Sequence, residues 1–341
     1  MPGHSICQQP YPADVGDSSL PAIPIPDFNL NPGEALAGGL RRLSLYQFDI
    51  ALSGLSAGGS KRDVAIHEMR KASKRIRALL LMVRPAIGDR VFRAENAVLR
   101  DVARLVSGVR DGAVMVDAVG RVRGRYGHLL ASGVFGDLED RLHRRHQRMS
   151  ATVLEDDEVL QHVVGVLYRA RSRYAAWPID LEDPQLSAGR SNPRAISNKF
   201  ASIGPVIAAT YRGGQREMKS AISAPTSVHF HAWRKQVKYL RHQMEIVSPL
   251  WPEVVGGLAL SLSHLGDVLG DDHDQSELVR LVASLPDLMP DPDERNLLVA
   301  LSQQRRRELQ GAALVMGRRI YAESPDRFAV RLEAYWSAWR I

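Results

Sequence analysis

An eleven-residue pattern that occurs twice constrains the architecture of this chain more than any other feature. His67-Glu-Met-Arg70-Lys71-Ala-Ser-Lys74-Arg-Ile-Arg77 and His231-Ala-Trp-Arg234-Lys235-Gln-Val-Lys238-Tyr-Leu-Arg241 both read H-x-x-R-K-x-x-K-x-x-R, the second copy starting 164 residues after the first. Beyond each copy, Val106-Ser-Gly108-Val-Arg110-Asp111 parallels Leu269-Gly-Asp-Asp272-His273-Asp274 at an offset of 163. Repetition at such a distance means two similar structural units in one chain. The expected organisation is a Pro-rich extended or disordered arm over residues 1–32, a first helical half over 33–180 and a second over 190–341, related by a pseudo-two-fold axis.

The pattern between these landmarks is helical nearly throughout, and period-two runs rich in Val, Ile and Thr are hard to find. Helices are expected over 33–57, 60–84, 89–108, 110–131, 136–155 and 156–177. In the second half they are expected over 194–222, 226–248, 251–271, 273–285, 292–322 and 324–340. Arg84-Pro85, Ser248-Pro249, Trp251-Pro252 and Ser324-Pro325 supply stops and starts, because a residue before proline is pushed out of the helical region. Each junction motif reads as the opening of a new helix with an acidic residue near its start. The fold class is all-α, with bundle-like antiparallel packing.

At about 100° per residue, Met69, Ala72, Ile76, Leu79, Leu80 and Val83 share one side of their helix, and His67, Arg70, Lys71, Lys74 and Arg77 share the other. In the second copy Trp233, Val237, Leu240, Met244 and Val247 form the apolar stripe, and His242 joins the basic face near His231. A charged helix face is most often simply solvated, but such faces usually mix signs, since like charges one turn apart repel by roughly 0.2–0.5 kcal/mol. Here Glu68 is the single acid within the first copy, and the second has none. The chain has seven lysines among its 45 basic residues, and four of them stand at the matched positions 71, 74, 235 and 238. Duplicated, acid-poor and lysine-retaining stripes point to an anion that neutralises them.

Composition narrows the partner. The net charge of +7 and pI near 9.7 favour nucleic acid, an anionic membrane surface or another polyanion. No apolar run approaches the roughly 18 residues of a membrane span, and no secretory leader pattern opens the chain. Cys7 is the lone cysteine, which leaves no disulfide framework, no Cys/His zinc spacing, and compatibility with a reducing cytoplasm. No metal or cofactor is expected.

Further candidates for the anion site are Arg41 and Arg42 in the first helix, Arg110 and His273 at the junctions, and Arg212, Arg216 and Lys219 on one face of the helix before the second motif. Arg141, Arg144, Arg145 and Arg148 share another stripe, as do Arg305, Arg306 and Arg307; these two read as solvated surface.

The duplicated motif, with its two junctions in an all-helical chain, resembles the CHAD domain (conserved histidine α-helical domain) over residues 33–340. The resemblance implies two pseudo-symmetric four-helix bundles around a basic central channel that binds inorganic polyphosphate, and a cytoplasmic location at polyphosphate granules. It also implies that His67, Arg70, Lys71, Lys74, Arg77, His231, Arg234, Lys235, Lys238 and Arg241 line the channel. Arg75 is matched by Tyr239, and Arg110 by His273, so the symmetry is imperfect. CHAD domains are often joined to a CYTH β-barrel; residues 1–32 have no room for one.

Two other functions remain open at this point. One is polyphosphate cleavage using His67 or His231, although Asp111, Asp271, Asp272 and Asp274 are the sole nearby acids for the metal that phosphoryl transfer normally needs; they read instead as helix caps or orienting groups. The other is non-specific nucleic-acid binding, which charge alone would support weakly; no helix-turn-helix or RNP pattern is present, and aromatics are 6%. Oligomeric state is not legible.

Overall fold

The computed structural model describes residues 28–55, 62–154, 157–180 and 195–340. Its helices are α1 (Leu36–Leu55), α2 (Arg62–Leu105), α3 (Ser107–Tyr126), α4 (Gly136–Leu154), α5 (Asp157–Ala175), α6 (Gly204–Ser223), α7 (Ser227–Ile246), α8 (Gly257–Ser284), α9 (Pro292–Ile320) and α10 (Pro325–Trp339). Among the described residues the one β interaction is an isolated bridge between Asp180 and Ile196, so the class is all-α. Local chemistry accounts for several starts. The side chains of Thr226, Asp291 and Ser324 accept hydrogen bonds from the first-turn amides of His229, Asp293 and Arg327, and Pro292 and Pro325 occupy first-turn positions that lack an intrahelical N–H bond.

The Arg84-Pro85 break lies differently from expectation. The helix runs on past Pro85 and turns at Gly88, with φ 78° and ψ 162°, a left-handed conformation open to glycine at little cost. Beyond the kink the chain folds back on itself: Arg77 donates to Asn96 Oδ1 at 2.8 Å and Arg70 to the Ala103 carbonyl at 3.4 Å. The two arms of α2 are therefore antiparallel. In the second half the corresponding reversal, between α7 and α8, takes a 3-10 turn at Ser248–Leu250 and a π-turn at Pro252–Gly256.

A second correction concerns the junctions. In the first half a break does fall at Val106, between α2 and α3. In the second, the expected helices 251–271 and 273–285 are one uninterrupted helix, α8, with Leu269–Asp274 at its centre. Asp274 therefore caps nothing; it forms an ion pair with Arg121 of α3 at 3.1 Å.

The helices pair α1 with α2 and α5, α6 with α7 and α10, α3 with α4, α8 with α9, α3 with α8, and α2 with α7. Two hydrophobic cores result, each drawn from both halves of the sequence. The larger includes Phe48, Met69, Ile76 and Leu79 from α1 and α2, Tyr174 from α5, Tyr211, Trp233, Val237 and Leu240 from α6 and α7, and Trp336 from α10. The apolar stripes read from both motif copies are thus buried in one place. The smaller core joins Met115 and Val119 of α3 and Leu138 and Leu142 of α4 to Leu278 and Val282 of α8 and Leu298 of α9.

Most of the Pro-rich arm lies outside the described residues, but its last part is not loose. Phe28 and Leu30 are fully buried in the larger core, the Leu30 amide donates to the Ile246 carbonyl at 2.9 Å, and the Arg75 guanidinium lies 4.7 Å from the Phe28 ring centroid. Packing therefore begins before residue 33. Phe28→Ala is expected to destabilise the fold by about 3 kcal/mol, the usual cost of emptying a buried aromatic site, as read from denaturant unfolding.

Candidate anion-binding site

α2 and α7 run beside each other, and each has its apolar side in the larger core. Between them and the smaller core lies a cavity of about 650 Å³. Its cationic wall is Arg70 and Lys74 of α2 with Arg234 and Lys238 of α7; the rest includes Met115 and Leu142 from the smaller core, Arg145, and His273, Asp274, Glu277, Arg280 and Leu281 of α8. The two motif copies thus meet at one site through the same pair of positions, the R and second K of R-K-x-x-K.

The remaining motif positions sort by their angle on the helix. Lys71 and Lys235, one residue after those arginines, are exposed, as is His67, and Lys71 lies 3.6 Å from Glu68. Arg77 turns to the seam, donating to Tyr239 Oη at 2.9 Å and to Asn96. Arg241 pairs with Glu245 at 2.7 Å. His231 sits behind the wall, its ring 4.7 Å from that of His273, with Nδ1 buried and without a hydrogen-bond partner among the described residues.

His242 is not on the basic face. It is buried, contacts Glu245 Oε2 through Nδ1 at 2.8 Å, and meets the Phe28 ring edge-on. Burial opposes ionisation of Glu245, but the hydrogen bonds from His242 and Arg241 outweigh it and hold the carboxyl below its ordinary range. This pair is an internal clamp on the end of α7.

The outlying candidates are engaged elsewhere. Arg41 is bound to Asp180 and to the Trp177 carbonyl, and Arg42 to Glu34 and the Asn29 carbonyl. Arg212 faces Asp326 at 3.2 Å and Arg216 faces Glu217 at 3.0 Å, while Lys219 is exposed. None of these lines the cavity. Arg110 belongs to the first turn of α3, and its side chain lies outside the described residues.

Two cavity residues, Arg145 and Arg280, were not among the candidates. Arg145 stood in a stripe that reads as solvated surface, and nothing in its spacing distinguishes it. Arg121 likewise carried no signal, yet it holds Asp274 at the cavity wall and also approaches Asp271 at 3.6 Å.

The electrostatics are those of a cation cluster taken partly out of water. Burial lowers the Lys238 pKa to about 6, helped by Arg234, Lys74 and Arg241, against the opposing pull of Asp274. Burial likewise lowers His273 to about 4, with Arg234, His231 and Lys238 adding to the effect, and lowers His231 through burial and then Lys235, Arg234 and Lys238. Arg234, also lowered by burial, has Nε buried without a hydrogen-bond partner among the described residues. Its guanidinium passes over Gly270, where a Cβ would stand 3.3 Å from Nη2. The glycine of the second junction thus provides room for this arginine. Asp274 is raised above its ordinary value by burial, against Arg121 and Arg234. Among the described residues no group of three or more His, Cys, Asp or Glu is placed to hold a metal ion.

The structure is thus an all-helical domain with a basic cavity built from a duplicated helix motif. The CHAD domain family model matches residues 57–283, a span that includes both motif copies and both junctions; the chain belongs to the CHAD family. Among solved structures, PptA from Streptomyces chartreusis has a similar fold, with a TM-score of 0.55 and 18% sequence identity over 84% of this chain and 98% of that chain. No curated protein matches the chain by sequence.

The depressed cations set a pH dependence. A Lys238 whose folded pKa is about 6 loses its proton on folding anywhere between that value and the ordinary lysine range, so the unfolded chain binds the extra proton. Without an anion, stability therefore rises with pH across this window. His273, lowered to about 4, adds loss of the same sign as pH falls below about 6.5. Lys238→Met is expected to raise the melting temperature at neutral pH and flatten its rise toward alkaline pH, as followed by thermal denaturation.

Proposed function

We propose that this protein binds inorganic polyphosphate without cleaving it, with Arg70, Lys74, Arg234 and Lys238 as principal contacts and His273 beside them. The observation that carries this reading is the convergence of four cations, from two copies of one motif, on the wall of a single cavity, with Arg234 and Lys238 drawn out of water there. A chain with a negative charge on each phosphate would neutralise several of them at once, the arginines through paired N–H donors and the lysines as compact charges. Membership of the CHAD family, known for polyphosphate binding, supports the same reading.

We read the fold as two pseudo-symmetric halves enclosing a channel. Support comes from the pairing of α1 with α2 and α5, which recurs as α6 with α7 and α10. The antiparallel fold-back of α2 at Gly88 likewise recurs as α7 against α8.

Binding rather than catalysis is favoured by the acids of the cavity, which face cations: Asp274 meets Arg121, and Glu277 meets Arg280. His67, one candidate for a covalent role, is exposed and does not line the cavity. Phosphate release from long-chain polyphosphate in the presence of Mg²⁺, lost on His231→Ala, would overturn this part of the reading.

Salt titration tests the main claim. With four phosphates neutralised, log affinity should fall against log salt with a slope of roughly −3, by analogy with single-stranded nucleic acid. Lys74→Glu/Lys238→Glu should weaken binding by at least about a hundredfold, as two like-charged contacts become repulsive. A salt-independent affinity, or DNA outcompeting polyphosphate at physiological salt, would contradict the proposal. In cells that store the polymer, a fluorescent fusion should gather at polyphosphate granules while the double variant stays diffuse.

A further inference from the structure

The cavity is not closed on the side of α4. Arg145 and Met149, which line it, also line a second, shallower groove of about 680 Å³ whose other walls are Arg141, Arg144 and Arg148 of α4 and Leu285, Asp287 and Leu288 beyond the end of α8. We propose that this groove is a second anion subsite: a long polyphosphate leaves the central cavity past Arg145 and continues along the arginine stripe of α4. The inference rests on the polyphosphate reading of the cavity and extends it from a local site to a track.

Three features distinguish this stripe from the solvated surface that its spacing suggests. It is contiguous with the cavity through shared residues. It is also one-signed: from Arg141 to Met149 the helix carries no acid, whereas the acids of α4, Asp137, Glu139 and Asp140, stand in its first turn or just after it. Glu139 there binds Arg123. The third feature is ion pairing. Elsewhere on the surface arginines are commonly tied to carboxylates, as Arg171 is to Asp49, Arg331 to Glu323 and Arg125 to Glu308. Among the described residues Arg144 and Arg145 meet no carboxylate. Arg141 reaches Asp287 through its backbone carbonyl, at 2.5 Å, so Asp287 serves as a positioning contact as well as the groove's one acid.

The geometry suits an extended polymer. Arg141, Arg144, Arg145 and Arg148 recur at the spacing that places residues on one helix face, and together they cover about 10 Å along the axis. Guanidinium groups in such a row can each take a separate phosphate through two N–H donors. The central cavity then grips a short stretch of polymer, and the α4 groove adds affinity only when the chain is long enough to reach it.

That difference in reach provides the test. Binding of tripolyphosphate and of long-chain polyphosphate would be measured by calorimetry for the wild type, for Arg144→Gln/Arg148→Gln and for Arg144→Lys/Arg148→Lys, with circular dichroism confirming the fold. The glutamine variant should bind tripolyphosphate as the wild type does, but bind the long polymer about tenfold or more weakly, with its salt slope reduced by roughly one to two. The lysine variant should recover most of the loss. If the glutamine variant binds the long polymer as tightly as the wild type, or loses both ligands equally, the α4 subsite is wrong while the cavity reading stands. If the wild type binds neither ligand, the cavity reading itself fails.

Discussion

Four cations crowded into one partly dehydrated cavity set the terms for everything around them. Lys74 is exposed, but Arg234 and Lys238 are drawn out of water beside it, where like charges repel more strongly, and the fold must supply enough packing to hold them there. It does so from behind. Met69, Ala72 and Ile76 on α2, with Trp233, Val237 and Leu240 on α7, are anchored in the larger core, so neither helix can rotate its charges into solvent without exposing that surface. Gly270 admits the Arg234 side chain, and Arg121 fixes Asp274 as a local counterweight. Lys238 still loses much of its affinity for a proton.

The two halves of the chain reach this arrangement by different routes. In the first, α2 doubles back at a single glycine and then breaks at Val106; in the second, the reversal takes two short turns and the helix that follows is continuous. The cavity is correspondingly lopsided. His231 is tucked against His273 on the α7 side, whereas His67 is exposed on the α2 side. Arg77 binds Tyr239 across the seam, while Arg241 is drawn back to Glu245 on its own helix. Equivalent motif positions therefore need not make equivalent contributions.

Much of this was legible from the residue order. Helical class, the apolar stripes and the two basic faces that contain positions 70, 74, 234 and 238 follow from spacing, because side chains three and four apart must share a helix face. Less was legible where a long-range partner decides the outcome. His242 lies close in angle to His231, yet the proximity of Glu245 and Phe28 makes it an interior residue. Arg41, Arg42, Arg212 and Arg216 look like any other arginines until Asp180, Glu34, Asp326 and Glu217 are brought beside them. The Leu269–Asp274 segment has the polar, glycine-containing character of a helix boundary; packing of α8 against α3, α7 and α9 carries the helix straight through it.

The residue order alone determined that this chain is helical, that it carries one cationic motif twice, and that an anion is the natural complement of that motif. These properties are periodic or additive, and a linear string records them fully. Tertiary structure alone decided which half of each basic face looks inward, that Arg145 and Arg280 join the site, and that the arginines of α4 adjoin it. Those are statements about neighbours distant in sequence, and only the packing of α3 and α4 against α8 and α9 into a second core brings them together.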